Sequence, residues 1–171
     1  MAQAGATKGR RRTVTARCRL ISSAAMAYRE GEALVEADRS TLVVGLGGNV
    51  VGLDRATGAV RWKNVLSGGG LEEVFIALRY GVLAVSAGGK GVYRLDYATG
   101  ATLWRSETTA PGRATILVEL DLIIVAKGGY LDTFGHDGLP RWSQPLEGMG
   151  IGRVALALPG NIAQADDPGS Q

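Results

Sequence analysis

Short apolar runs alternate with tight polar turns along most of the chain, at spacings that suit strands rather than helices. From residue 33 onward the order repeats. A first strand is expected at Ala33 to Ala37, Val74 to Leu78 and Ala114 to Leu120. Polar turns follow at Asp38-Arg39-Ser40, at Arg79-Tyr80-Gly81 and near Asp121. More apolar second strands come next, at Leu42 to Gly45, Val82 to Val85 and Leu122 to Ala126. Paired glycines at Gly47-Gly48, Gly88-Gly89 and Gly128-Gly129 turn the chain into third strands at Val50 to Leu53, Val92 to Leu95 and Tyr130 to Thr133. A short fourth strand then carries a tryptophan: Trp62, Trp104 or Trp142.

The turn into that fourth strand is the best-kept part of the unit. Asp54-Arg55-Ala56-Thr57-Gly58 returns as Asp96-Tyr97-Ala98-Thr99-Gly100. A third version, Phe134-Gly135-His136-Asp137-Gly138, puts Phe134 at the Asp position and Asp137 at the Thr position. An Asp side chain bonds turn amides, and Gly accepts positive φ, so the motif builds a turn. Counted between tryptophans, the period is 104 − 62 = 42 and then 142 − 104 = 38 residues. Four short antiparallel strands at that period predict a β-propeller blade, a twisted sheet that buries its faces against its neighbours. After Trp142 the pattern restarts at Gly152 to Leu158, turns at Pro159-Gly160-Asn161 and begins a second strand at Ile162 to Ala165. The expected fold is all-β: about four blades, three complete and one shared by the two chain ends. Thr13 to Leu20, an alternating segment, is the expected outer strand of that shared blade.

The repeat resembles the quinoprotein-dehydrogenase-like β-propeller family, whose blades carry a similar strand, Asp-x-x-Thr-Gly turn, strand and tryptophan. The likeness covers about residues 33 to 165 and is strongest in the units ending at Trp62 and Trp104. It implies that the tryptophans dock between blades. Asp54, Thr57, Gly58, Trp62, Asp96, Thr99, Gly100, Trp104, Gly138 and Trp142 are therefore expected to be structural. It also implies that enzymatic members have eight blades around pyrroloquinoline quinone and Ca²⁺. A chain with four blades would pair as a homodimer into one eight-bladed ring, or close alone as a small propeller.

Composition agrees with an ordered, turn-rich chain: 171 residues, 46% hydrophobic, 26 Gly and 5 Pro. Expected domains are a basic arm at residues 1–12, the propeller at 13–165 and a polar tail at 166–171. The net charge is only +3, but Lys8, Arg10, Arg11, Arg12, Arg17 and Arg19 crowd the start, where no acid stands. Lys8, Arg10, Arg11 and Arg12 are candidates for contact with an anionic partner, nucleic acid included. No apolar run approaches the length of a membrane-spanning helix.

Candidate chemistry is sparse. Cys18 is alone and forms no disulfide within the chain. With no convincing export signal, it leads to the expectation of a cytoplasmic protein. His136 is the only histidine, so no multi-histidine metal site forms within one chain, and its outer-turn position argues against catalysis. Glu72-Glu73 is the one acidic pair placed to meet a cation before an inner strand. Gly68-Gly69-Gly70 and Gly148-Met149-Gly150-Ile151-Gly152 precede no helix, so they are crossovers between blades rather than phosphate loops. The residues thus assign no catalytic, metal or cofactor site. The expected function is a non-catalytic scaffold for protein–protein interaction or assembly. The alternatives are a quinoprotein-type oxidoreductase assembled across a dimer, with pyrroloquinoline quinone and Ca²⁺, and nucleic-acid contact through the basic arm.

Overall fold

A computed structural model describes residues 39–149 and 153–163. Every regular element within them is a β-strand. The strands are β1 (Thr41–Leu46), β2 (Asn49–Asp54), β3 (Val60–Val65), β4 (Val74–Arg79), β5 (Val82–Ala87), β6 (Gly91–Leu95) and β7 (Thr102–Glu107). Then come β8 (Ala114–Val118), β9 (Leu122–Lys127), β10 (Tyr130–Gly135), β11 (Pro140–Pro145), β12 (Leu156–Leu158) and β13 (Asn161–Ala163).

Sequential strands pair antiparallel in separate sheets, as short turns dictate. Two sheets are complete, β4-β5-β6-β7 and β8-β9-β10-β11. Before them stands β1-β2-β3, and after them β12-β13. We number these sheets as blades 1 to 4 in chain order. The expected inner strand Ala33 to Ala37, the expected outer strand Thr13 to Leu20, the basic arm and the polar tail all lie outside the described residues.

Blades pack face to face because each strand alternates its side chains between two sides. Val50, Trp62 and Leu66 of blade 1 meet Leu83, Val85, Tyr93 and Leu95 of blade 2. On its other face blade 2 sends Val82, Ala84 and Val92 against Ile116, Val118, Ile123, Val125 and Phe134 of blade 3. Strand β5 lies between these clusters and is buried along its whole length. That explains its unbroken apolar run, Val82-Leu83-Ala84-Val85.

One irregularity recurs. Blades 1, 2 and 3 each bulge just before the turn into the tryptophan strand, at Gly52/Leu53, Arg94/Leu95 and Thr133/Phe134. The same pairings correct the reading of the third turn. Trp62 pairs with Gly52 and Trp104 with Arg94, ten residues back, whereas Trp142 pairs with Thr133, nine back. The third turn is one residue shorter. Phe134 therefore takes the place of Leu53 and Leu95, in the core, and Gly135 takes that of Asp54 and Asp96. Backbone bonds agree: Asp54 N to Ala59 O and Asp96 N to Ala101 O become Gly135 N to Leu139 O.

Candidate interaction surface

The repeated turns are hydrogen-bonded alike. The Oδ1 atom of Asp54 accepts from Thr57 N and Thr57 Oγ1, both at 2.9 Å, and from Ala56 N at 3.0 Å. Asp96 Oδ1 accepts from Thr99 N and Thr99 Oγ1, both at 2.8 Å. These donors favour the charged carboxylate. Arg61, with Nη2 2.6 Å from Asp54 Oδ2, is the main cause that holds the Asp54 carboxyl down at about 2, followed by Thr57. Asp96 is lowered chiefly by the Thr99 hydroxyl. In the shortened third turn Asp137 does both jobs. Its Oδ1 accepts from Leu139 N at 3.0 Å, as Thr57 Oγ1 accepts from Ala59 N, and its Oδ2 pairs with Arg141 at 2.9 Å. The Leu139 amide and Arg141 hold this carboxyl below its usual range.

Each of the first two tryptophans reaches the next blade's turn. Trp62 is buried, donates from Nε1 to Tyr97 O at 3.1 Å and lies against Gly100. Trp104 donates to His136 O at 2.9 Å and lies against Gly138. Two residues beyond each tryptophan, Asn64 Nδ2 donates to Gly100 O at 2.7 Å and Ser106 Oγ to Gly138 O at 2.5 Å. Both glycines have positive φ, +72° and +82°. A Cβ at Gly100 would stand 2.3 Å from the Trp62 ring, and one at Gly138 2.7 Å from the Trp104 ring. Trp142 is 48% exposed.

Lys127 is a residue that sequence reasoning missed. It ends β9, and its amine crosses to β5 of blade 2, donating to Ser86 Oγ at 2.9 Å and Ala87 O at 2.5 Å. Burial pushes its pKa down to about 8, against the pull of Glu72 and Asp132. A Ser–Lys pair at this distance has the form of an activated nucleophile. Ser86 is wholly buried, however, so no substrate reaches its hydroxyl. The lysine ties two blades together instead. The only hint in the sequence is a cation at the end of an apolar strand.

The remaining candidates are dispersed. Of the expected cation-facing pair Glu72-Glu73, Glu73 is already engaged by Arg113 at 2.5 Å, and the charge of Glu72 acts on Lys127. The His136 ring is 2.9 Å from Glu119 O, and its own carbonyl serves Trp104 and Arg94. Among the described residues no three His, Cys, Asp or Glu side chains converge as metal donors. The described residues therefore offer no donor set that fits Ca²⁺ beside a quinone. A cleft of about 280 Å³ between blades 3 and 4 is lined by Arg113, Thr115, Lys127 and Arg153. No helix among the described residues is long and apolar enough to cross a membrane. The basic residues Lys8, Arg10, Arg11 and Arg12, and Cys18, lie outside the described residues.

Known proteins show where this architecture recurs. Residues 9–165 match the family described as outer membrane protein assembly factor BamB. No curated protein matches the chain. Among solved structures, BamB from Moraxella catarrhalis is similar at 20% identity with a TM-score of 0.57, over 72% of this chain and 44% of that one. A europium-containing methanol dehydrogenase is similar at 17% identity and 0.53, over 62% and 23%. BBS1N, solved in complex with ARL6DN, is similar at 20% identity and 0.51, over 77% and 42%. The chain thus spans less than half the length of each of these structures, and the likeness to them is one of fold. The family match overturns the cytoplasmic location expected from the sequence. BamB is an outer-membrane assembly factor, which points to the outer-membrane or periplasmic side. The expectation failed because one unpaired thiol reports on no compartment.

Proposed function

We propose that this chain, which belongs to the family of the outer membrane protein assembly factor BamB, is a non-catalytic scaffold that holds other proteins during assembly at the outer membrane. The observation that carries this reading is how the repeated residues are spent. Asp54, Thr57, Gly58, Asp96, Thr99, Gly100 and Gly138 shape turns, and Trp62 and Trp104 bind those turns from the neighbouring blade. What remains free to vary is the surface of loops and strand edges, where propellers carry their function. BBS1N, a structure of similar fold, was solved with a protein partner.

The experiment is depletion of the protein from its host, followed by measurement of folded outer-membrane proteins. Their level should fall, with no change in messenger abundance. An unchanged level would remove the assembly role. Alcohol or sugar oxidation by the purified protein supplied with quinone and Ca²⁺ would replace it with the enzymatic one.

The same reading extends to the shape of the whole. The described blades form part of a larger ring, closed either by the chain's own residues 13–20 beside β13 or by a second chain. Two features support closure. Blade 1 turns Leu42, Val44 and Leu46 outward, away from blade 2, and among the described residues the sheet of β12 and β13 has only these two strands. Apolar faces and open strand edges of this kind are normally covered.

A further inference from the structure

The outer turn of blade 2 breaks a rule that its neighbours keep. The residue just before the tryptophan is Arg61 in blade 1 and Arg141 in blade 3. Each pairs with the carboxylate of its own turn, Arg61 with Asp54 at 2.6 Å and Arg141 with Asp137 at 2.9 Å. In blade 2 that residue is Leu103, which is 52% exposed. Asp96 therefore lacks the arginine that its counterparts have. Its Oδ1 is taken by Thr99, and among the described residues no side chain bonds its Oδ2. Arg94 acts on it through space, its own Nη1 being engaged by the His136 carbonyl.

The same junction is more apolar than the one before it. Where Trp62 meets Gly100, the residue before the tryptophan is Arg61 and the residue after the glycine is Ala101. Where Trp104 meets Gly138, the corresponding residues are Leu103 and Leu139. The bonds from Asp96 N to Ala101 O and from Gly135 N to Leu139 O fix that correspondence. Leu139 is 58% exposed, and Trp104 is half-buried where Trp62 is covered. One exposed leucine is ordinary on a protein surface. Here an arginine gives way to one leucine, an alanine to another, and a carboxylate is left without its partner, all at one junction. Blades 2 and 3 are both complete, so none of this is the free end of the array.

We propose that the outer rim of the junction between blades 2 and 3 docks a protein partner that presents an arginine beside an apolar side chain. The partner's guanidinium stands where Arg61 and Arg141 stand in the neighbouring blades and pairs with Asp96. Its apolar neighbour packs on Leu103 and Leu139. Charge complementarity selects this occupant, because the Thr99 hydrogen bonds already hold Asp96 as a carboxylate. An arginine suits a charge beside leucines, since its stem lies along apolar surface while its head reaches the carboxylate. The inference rests on the scaffold reading and gives the chemistry of one of its partners.

The probe is a random peptide library displayed on phage, selected on the full chain and counter-selected on Leu103→Arg. That variant copies blades 1 and 3 and fills the site from within, so its melting temperature should match or exceed that of the wild type. Asp96→Asn removes the charge and keeps an acceptor for Thr99. Recovered peptides should place Arg beside Leu, Ile, Phe or Met. Their affinity, read by fluorescence anisotropy, should fall about tenfold on Leu103→Arg and on Asp96→Asn, and should weaken with added salt. Asp54→Asn, at a carboxylate already paired with Arg61, should leave it unchanged. Peptides without a basic residue, or affinity indifferent to Asp96→Asn, would overturn the pairing. Self-association of the wild type that Leu103→Arg abolishes would overturn it in favour of a second copy. No enrichment over Leu103→Arg would overturn the site itself, while depletion of the whole chain would still report on the scaffold role.

Discussion

Gly100 shows how much one missing methyl decides. A Cβ there would lie 2.3 Å from the Trp62 ring, on a backbone with φ of +72°. Gly100→Ala should cost about 1–2 kcal/mol for the left-handed backbone and a further ~1–3 kcal/mol for overpacking. Gly58→Ala bears the first cost alone, because a Cβ there meets nothing within 4 Å. Urea unfolding at low protein concentration should therefore rank Gly100→Ala well below Gly58→Ala in stability, and equal midpoints would contradict the docking geometry. Lys127 makes a second prediction at this scale. Its folded pKa of about 8 is depressed from an ordinary value near 10.5. Between those values the unfolded chain binds more protons than the folded one, so stability rises as pH rises from about 8 toward about 10.5. The melting temperature of the wild type should climb over that window relative to Lys127→Met, which lacks the group. A constant difference between the two would mean that the amine titrates normally.

At the scale of the strand and turn, much could be read in advance. Alternation and glycine pairs placed the strands of blades 2 and 3 within a few residues of their observed ends, because backbone turns are encoded locally. The third turn was misread by one position because a deletion leaves the Trp142 spacing from Gly138 unchanged and shifts only what precedes it. Strand pairing, not spacing, shows that Phe134 is a core residue. The family resemblance implied that the tryptophans dock between blades, as Trp62 and Trp104 do, but how deeply each is buried depends on the next blade: Trp62 has Gly100, Trp104 has Gly138. Lys127 was missed for the same reason, its partners Ser86 and Ala87 lying 41 and 40 residues away. The tryptophans supply the prediction here. Trp62→Ala should cost about 3–5 kcal/mol, the range for a buried aromatic. Trp104→Ala should cost less, because its ring is only half-buried. Denaturant titration of the two variants checks the order, and a reversed order would show that burial does not set the cost.

Over the whole molecule, stability should follow the order of the blades rather than the order of the strands. Each blade contacts its neighbours, so local stability depends on how many faces are covered. Blade 2 has both faces covered, by blade 1 through Trp62 and Val50 and by blade 3 through Phe134 and Ile123. Its β5 is buried throughout, and Lys127 adds hydrogen bonds to that strand from outside. Blade 1 leaves Leu42, Val44 and Leu46 on an exposed face, and blade 4 contributes strands of three residues. Native-state hydrogen exchange should therefore find the slowest amides in β5 and β6, intermediate ones in β9 and β10, and the fastest in β1, β3, β12 and β13. Equal protection in all blades at low concentration would mean that the sheets unfold as one unit. The junction tryptophans would then couple the blades more tightly than nearest-neighbour packing requires.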